Sequence, residues 1–464
     1  MFLPVRRRRL GVRGAGIACR AFGDARGPGP RVPKVPHMRF AARANRLGCG
    51  HIERHVAITG LGIVSCLGSE LNSVAESLRA GRSGIVCDRE REQRGFRSPL
   101  TGALRGFDLE KRHIPKKALR TMNEPARYAY AAVMDAIADA GFSPDALQGE
   151  RFGMVFGNDS CVGASVEAID IARESGETHS IGSSHIFRAM NSVVTMNLAA
   201  ALGVGGASWT VSAACASGAH AIGQAAMLIA SGLQDVVITG GAQELCWEGM
   251  APFDAMDAFS TRVDAPEKAS RPFDHARDGL VPSGGAACVV LEALDHARAR
   301  NARTYGVVRG YGFSSDGSGR LTQPNVDGAI RAMRMALENA GVDPGDVDYV
   351  NAHGTSTRVG DLAEAKAIAE VFGTDVAVSS TKSMTGHECW MAGASEVVYT
   401  TLMSAHGFIA PNINFDRLDD DCPPIKVVNQ TTAANIKVAV SNSFGFGGTN
   451  AALVLDYGGM GRWA

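Results

Sequence analysis

The stretch VSAACASGAHAIGQAAMLIASG, Val211 to Gly232, decides how the chain is read. Trp209, Thr210 and Val211 end a strand, and a run of small residues follows at once. From Ala216 to Ser231 the pattern predicts a helix, rich in alanine and apolar on most faces, which places it inside the protein. Cys215 then stands at the first turn of a core helix. Free N–H groups and the positive end of the helix dipole gather there, and both favour a thiolate over a thiol. The neighbours are Ser, Ala and Gly, so a second molecule can come close to the sulfur. An inert buried cysteine is the competing reading, since free cysteine is among the most buried residue types. This segment alone leaves the two open.

Length and composition narrow the frame. The chain has 464 residues, 45% of them hydrophobic, and no net charge. That suffices for one large domain or two fused ones with an ample core. A neutral balance gives no reason to expect nucleic acid or an anionic membrane surface as partner. No stretch is long and apolar enough to span a bilayer as a helix. The ten cysteines lie far apart, without a C-x-x-C pair or metal-ligand spacing. The expectation is a cytoplasmic protein with free thiols and no structural metal.

Residues 1–54 differ from the rest. They hold twelve Arg, including the run Arg6 to Arg9, and only two acids, Asp24 and Glu53. They contain no Ser and no apolar segment of signal-peptide type. The segment reads as a disordered basic extension, with Met38 an alternative start and an organellar presequence the competing interpretation.

From His55 onward strands and helices alternate. HVAITGLGIVSCLG (His55 to Gly68) is a strand entering a glycine turn, FGMVFGND (Phe152 to Asp159) an apolar strand, and DVVITGG (Asp235 to Gly241) another. RPFDHARDGLVPSGGAACVVLE (Arg271 to Glu292) is a polar loop leading into a buried strand. The plan then repeats. YGVVRGYGFSSDG (Tyr305 to Gly317) resembles the opening strand, and ALENAGVDPGDVDYVNAHG (Ala336 to Gly354) repeats the helix, turn and strand of AIADAGFSPDALQGERFGMVFG. HECWMAGASEVVYTTLMSAHG (His387 to Gly407) takes the place of the Cys215 helix, and KVAVSNSFGFGG (Lys437 to Gly448) that of DVVITGG. Duplicated α/β halves, 55–300 and 301–464, imply two mostly parallel sheets covered by helices, with a site where the halves meet.

The second half supplies the chemistry. NAHGTST (Asn351 to Thr357) puts His353 just past a strand end, where open α/β folds place ligands. SSTKSMTGH (Ser379 to His387) offers Lys382 and His387, and SNSFGFGGTN (Ser441 to Asn450) a Phe/Gly loop that can lie against a ligand. A lone His is more often a satisfied core residue, a lone Lys a solvated charge, and a Gly-rich loop a turn. Their common position at strand and helix ends matching that of Cys215 favours the functional reading.

Together these motifs resemble the β-ketoacyl-acyl carrier protein synthases of the thiolase-like superfamily, over about Val56 to Tyr457. ELCWE (Glu244 to Glu248) and HGFIAPNIN (His406 to Asn414) lean toward synthase I rather than synthase II. The resemblance implies a thiolase-like fold with a layered α-β-α-β-α architecture. It also implies a triad of Cys215, His353 and His387 that runs a decarboxylating condensation of an acyl chain with malonyl-acyl carrier protein. By the same token Lys382 and Glu396 form a supporting network, the backbone N–H groups of Cys215 and Phe446 an oxyanion hole, and Phe444 and Phe446 a gate. Thr355 and Thr357 would hold the phosphopantetheine arm, which arrives on the carrier protein, so no resident cofactor or metal is implied. Lys116, Lys117 and Arg120, with Arg188 as a weaker candidate, fall where the family docks its acidic carrier; an ordinary solvated basic face competes. A homodimer is implied; a specialised polyketide-type or aryl-polyene-type ketosynthase, or a subunit needing another protein, is the alternative.

One departure stands out. The small-residue run SLGAAG that usually follows MTGH is here ECWMAGAS. Glu388 beside His387 would raise the imidazole pKa, and Trp390 would narrow a pocket or fill core space.

Overall fold

The computed structural model describes residues 54–317 and 319–458, all within one compact unit, His51–Ala464. The arginine run and Met38 lie outside the described residues. Arg54, assigned above to the extension, belongs to the fold, where its guanidinium pairs with Asp235 at 2.7 Å and Asp295 at 2.8 Å.

Eleven strands form one sheet. In chain order they are β1 (Val56–Val64), β2 (Phe152–Gly157), β3 (Ser208–Val211), β4 (Val236–Gln243), β5 (Gly285–Ala293), β6 (Gly306–Ser315), β7 (Tyr349–Asn351), β8 (Ala377–Ser379), β9 (Lys426–Val427), β10 (Val438–Gly445) and β11 (Thr449–Asp456). Outward from the central β1–β6 pair, one half runs β1-β5-β4-β2-β3 and the other β6-β11-β10-β7-β8, with β9 added at the far edge. In both halves the two inner ladders are antiparallel and the outer ones parallel. The expectation of two mostly parallel sheets is therefore corrected to one mixed sheet. Strands buried on both faces read as apolar runs whichever way they point. Direction is set by the connection, and the short Phe446–Gly448 link between β10 and β11 allows only a hairpin.

Six helices complete the layers: α1 (Glu124–Asp139), α2 (Val193–Leu202), α3 (Ser217–Ala230), α4 (Val326–Ala340), α5 (Arg358–Phe372) and α6 (Ala392–His406). One hydrophobic cluster joins α1 and α2 to the outer face of the first half-sheet, and another joins α4 and α5 to that of the second. A central cluster holds α3 and α6 between the two. The middle position follows from composition: α3 carries no charged residue, and twelve of the fifteen residues of α6 are buried.

The duplication extends to atomic packing. A Cβ at Gly60 of β1 would lie 2.3 Å from the Ala136 carbonyl oxygen of α1. One at Gly310 of β6 would lie 2.2 Å from the Ala336 carbonyl oxygen of α4. Only glycine permits so close an approach. The eight cysteines among the described residues are all free, and no described helix is long and apolar enough to cross a membrane.

Candidate active site

Cys215 sits in a single tight turn, Ala214–Ala216, between β3 and α3. The turn starts at Ala214 in the left-handed region, φ 45°, a conformation that costs about 1–2 kcal/mol for a non-glycine residue. Its surroundings enforce it. Ser217 Oγ accepts from the Ala213 N–H (2.8 Å) and donates to the Ala214 carbonyl (2.6 Å). The Asp159 carboxylate takes the Ser212 hydroxyl and the Ala214 N–H. Gly157 lets β2 touch the start of α3, where a Cβ would come within 2.5 Å of the Gly218 nitrogen.

The backbone N–H groups of Cys215 and Phe446 lie close to the Cys215 sulfur. The thiolate expectation is nonetheless corrected. Burial dominates and pushes the Cys215 thiol up to about 12, against the smaller downward pull of Lys382 and the Phe446 N–H. Cys215 is 5% exposed, so loss of water outweighs the helix end.

His353 and His387 share a cavity with Cys215, their rings edge to face with centroids 5.2 Å apart. Burial first, then the Lys382 charge, holds both imidazoles well below the ordinary histidine range. The Cys389 N–H donates to His387 Nδ1 at 3.2 Å. The neutral ring therefore keeps its proton on Nε2, and that buried nitrogen has no partner among the described residues. A donor without an acceptor in a cavity is one that a ligand oxygen can use. The chain enters His387 through Gly386 (φ 70°) and is tied on both sides to Val281–Ser283.

Glu388 does not act on His387 as expected. Its carboxyl takes the hydroxyls of Ser395 and Tyr399 (2.9 Å), and burial lifts it to about 7. Trp390 packs against Cys215 and Cys389, and its indole N–H donates to Ser160 at 3.2 Å.

Lys382 pairs with Glu396, both almost completely buried. The Lys382 carbonyl accepts from Ser270 Oγ at 2.6 Å, so the polar loop before β5 braces the site. Thr355 and Thr357 hydroxyls meet at 2.9 Å and line the cavity. Phe444 stands edge-on to His353, and the partly exposed Phe446 stacks on Phe253. The cavity measures about 390 Å³ and is apolar on one side, where Met250, Phe253, Phe259 and Leu280 face it.

Sequence reasoning missed Glu364. Its carboxylate accepts the backbone N–H groups of His353 (2.8 Å) and Gly354 (2.6 Å) and the Asn442 amide (3.1 Å). It thereby holds the His353 loop against α5 and β10. Only its offset of eleven residues from His353, on the first turns of a helix capped by Thr357, could have flagged it.

Lys116, Lys117 and Arg120 are exposed on a short helix, Lys116–Leu119, and at its end. Arg188 differs: it is engaged by Glu167 at 2.7 Å. The Asn123 amide, at the start of α1, bonds the Arg188 carbonyl (2.9 Å), which brings Arg188 near that basic segment.

Comparisons with known proteins agree with this geometry. The family descriptions "Beta-ketoacyl synthase, N-terminal domain" and "Beta-ketoacyl synthase, C-terminal domain" match residues 53–297 and 305–416. The 3-oxoacyl-[acyl-carrier-protein] synthase 1 of Escherichia coli (strain K12) is 44% identical over 409 residues, 87% of this chain and 98% of that protein. Synthase 2 of Vibrio cholerae is 38% identical over 413 residues, 87% and 99% of the two chains. The crystal structure of a β-ketoacyl synthase from Burkholderia phymatum STM815 superposes with TM-score 0.83 at 37% identity, covering 87% of this chain and 99% of that one. A type II PKS acyl-carrier protein in complex with its ketosynthase gives 0.78 at 29% identity, covering 87% and 99%.

A duplicated sheet with a cysteine turn at the head of one central helix, and a histidine just before the turn that heads the other, defines a thiolase-like acyltransferase. Within that class, this chain belongs to the β-ketoacyl synthase family.

Proposed function

We propose that the chain lengthens an acyl chain by two carbons in fatty-acid elongation, with an acyl carrier protein delivering both substrates. Cys215 sulfur attacks the acyl thioester and the tetrahedral oxyanion receives the N–H groups of Cys215 and Phe446. The carrier's sulfur leaves with the proton that Cys215 gives up. Malonyl carrier protein then loses carbon dioxide, and its thioester oxygen takes on the enolate charge. His353 and His387 donate to that oxygen as neutral imidazoles. The enolate carbon attacks the acyl group, freeing Cys215 and producing the 3-oxoacyl carrier protein. The hydroxyls of Thr355 and Thr357 hold the phosphopantetheine arm, and Lys116, Lys117 and Arg120 meet the acidic carrier.

The observation that carries this reading is the unpartnered Nε2 of His387 in the cavity of Cys215. The test is intact mass of the protein mixed with acyl carrier proteins, then with malonyl carrier protein. Wild type should take up an acyl group and release it as 3-oxoacyl product. Cys215→Ala should take up none, and His353→Ala should stop at the acyl-enzyme. An acyl adduct on Cys215→Ala, or equal loss of both steps in His353→Ala, would overturn the assignment. The change from SLGAAG to ECWMAGAS favours a second reading, a specialised ketosynthase or partner-dependent subunit. Absence of any adduct on folded wild type would select it.

We also infer that the chain works as a homodimer. Among the described residues the edge strand β3 has no neighbour beyond it, and Trp209 on it is 40% exposed. Trp209 and Met190 line a surface groove, and Met227 of α3 is exposed as well. An apolar open edge of this kind invites pairing across a two-fold axis. A monomer in sedimentation at micromolar concentration would remove the dimer.

A further inference from the structure

The two central helices begin alike. Ala214 opens the three-residue turn that carries Cys215, and Cys389 opens the matching turn that carries Trp390. Both opening residues have φ 45°. Trp390 is therefore the counterpart of Cys215 in the second half, and the two turns bring their central side chains into one cluster with Cys389, Ala214 and Phe253.

Trp390 is held firmly in that cluster. It is 6% exposed, and its indole N–H bonds Ser160 Oγ at 3.2 Å. Its ring meets Phe253 with centroids 6.2 Å apart. Phe253 in turn stacks on Phe259 at 6.3 Å and on Phe446 at 6.2 Å. The cavity beside Cys215 opens toward Met250, Phe259 and Leu280 on one side. On the Trp390 side the indole occupies the space next to the sulfur.

We propose that Trp390 is a specificity-determining residue: it closes the far side of the nucleophile and sets the longest acyl chain that Cys215 accepts. This rests on Cys215 being the acylated residue, and deepens that reading. A rigid indole bonded at its far end gives little way, unlike a methionine or leucine in the same place. An acyl chain that outgrows the open side has nowhere to turn. Removing the indole would leave its own volume open beside the sulfur. Each methylene accepted or refused in such a pocket changes discrimination about 10–200-fold.

The experiment measures the acylation rate of Cys215, by intact mass, with straight-chain acyl carrier proteins from butanoyl to hexadecanoyl. It compares wild type, Trp390→Ala and Trp390→Phe. The wild-type rate should drop at a limiting length. In Trp390→Ala the first chain refused by wild type should be accepted at least about tenfold faster, with the shortest donors changed by less than about twofold. Trp390→Phe, which keeps most of the wall but loses the Ser160 bond, should keep a limit close to that of wild type. Should Trp390→Ala fail to fold, Trp390→Leu takes its place, with a smaller shift in the same direction. An unchanged length profile in a folded variant overturns the proposal. So does a uniform loss at every length, which would make Trp390 a prop for the Cys215 turn. A wild type that forms no adduct with any donor fails the underlying reading instead, and this one with it.

Discussion

The buried pair Lys382–Glu396 yields a prediction in which stability and catalysis part company. Both side chains are at most 2% exposed. At an effective dielectric constant near ~20 their attraction is about 4 kcal/mol. Withdrawing each charge from water costs several kcal/mol, so the pair does not stabilise the fold on balance. What matters is what remains when one member is lost. Glu396→Leu strands the Lys382 ammonium beside two imidazoles that its charge already disfavours from protonation. That variant should lose about 3–5 kcal/mol. Lys382→Met leaves a carboxyl that burial already pushes toward its neutral form, so it simply takes up a proton. Its loss should be nearer 1–3 kcal/mol, the cost of one unsatisfied polar group. The double variant Lys382→Met/Glu396→Leu should return to within about 1 kcal/mol of wild type. Urea unfolding at neutral pH measures all four chains. The double variant should still acylate Cys215 yet fail to condense, because the charge that supports the two imidazoles is gone. Equal losses for the two single variants, or a double variant as unstable as their sum, would refute the reasoning.

Two other outcomes follow from charge. Burial keeps His220, His353 and His387 below the unfolded histidine value of 6.5, which takes stability away as the pH falls through 6.5. Burial lifts Asp361 and Glu388 to about 7. The folded chain then keeps protons that the unfolded chain has lost, and this contribution fades as the pH rises through 7. The two groups oppose each other in the mildly acidic range, and only the carboxyls act above 6.5. The urea midpoint should therefore fall as the pH rises from 6.5 through 7, and Glu388→Gln should flatten that fall; a midpoint that rises there contradicts it. Charge reversal at the exposed Lys117 and Arg120 should weaken carrier binding roughly tenfold at low salt and much less at high salt. An affinity unchanged at low salt would take both residues off the docking surface.

Much of the site was legible because its residues lie at element ends marked by glycine and small residues. Cys215, His353, Lys382 and His387 each follow an apolar strand or precede an apolar helix, and the structure gathers Cys215 and both histidines in one cavity. Glu364 escaped because a glutamate on a helix looks like a solvated charge until its backbone partners, His353 and Gly354, are folded against it. The thiol state of Cys215 was misread for a similar reason. A helix terminus is visible in sequence, whereas the depth of burial that outweighs it is not.

The chain's own order of residues determined the duplication, the alternation of strands and helices, and the short motifs that carry the candidate reacting groups. Each of these is encoded locally, in periodicity, small-residue turns and short motifs. Strand direction, the joining of two half-sheets into one, and the neutral state of both imidazoles were decided only by tertiary structure. Those depend on which distant segments exclude water from one another. The same is true of Trp390, whose place beside Cys215 exists only because two turns some way apart in the chain meet across the centre of the fold.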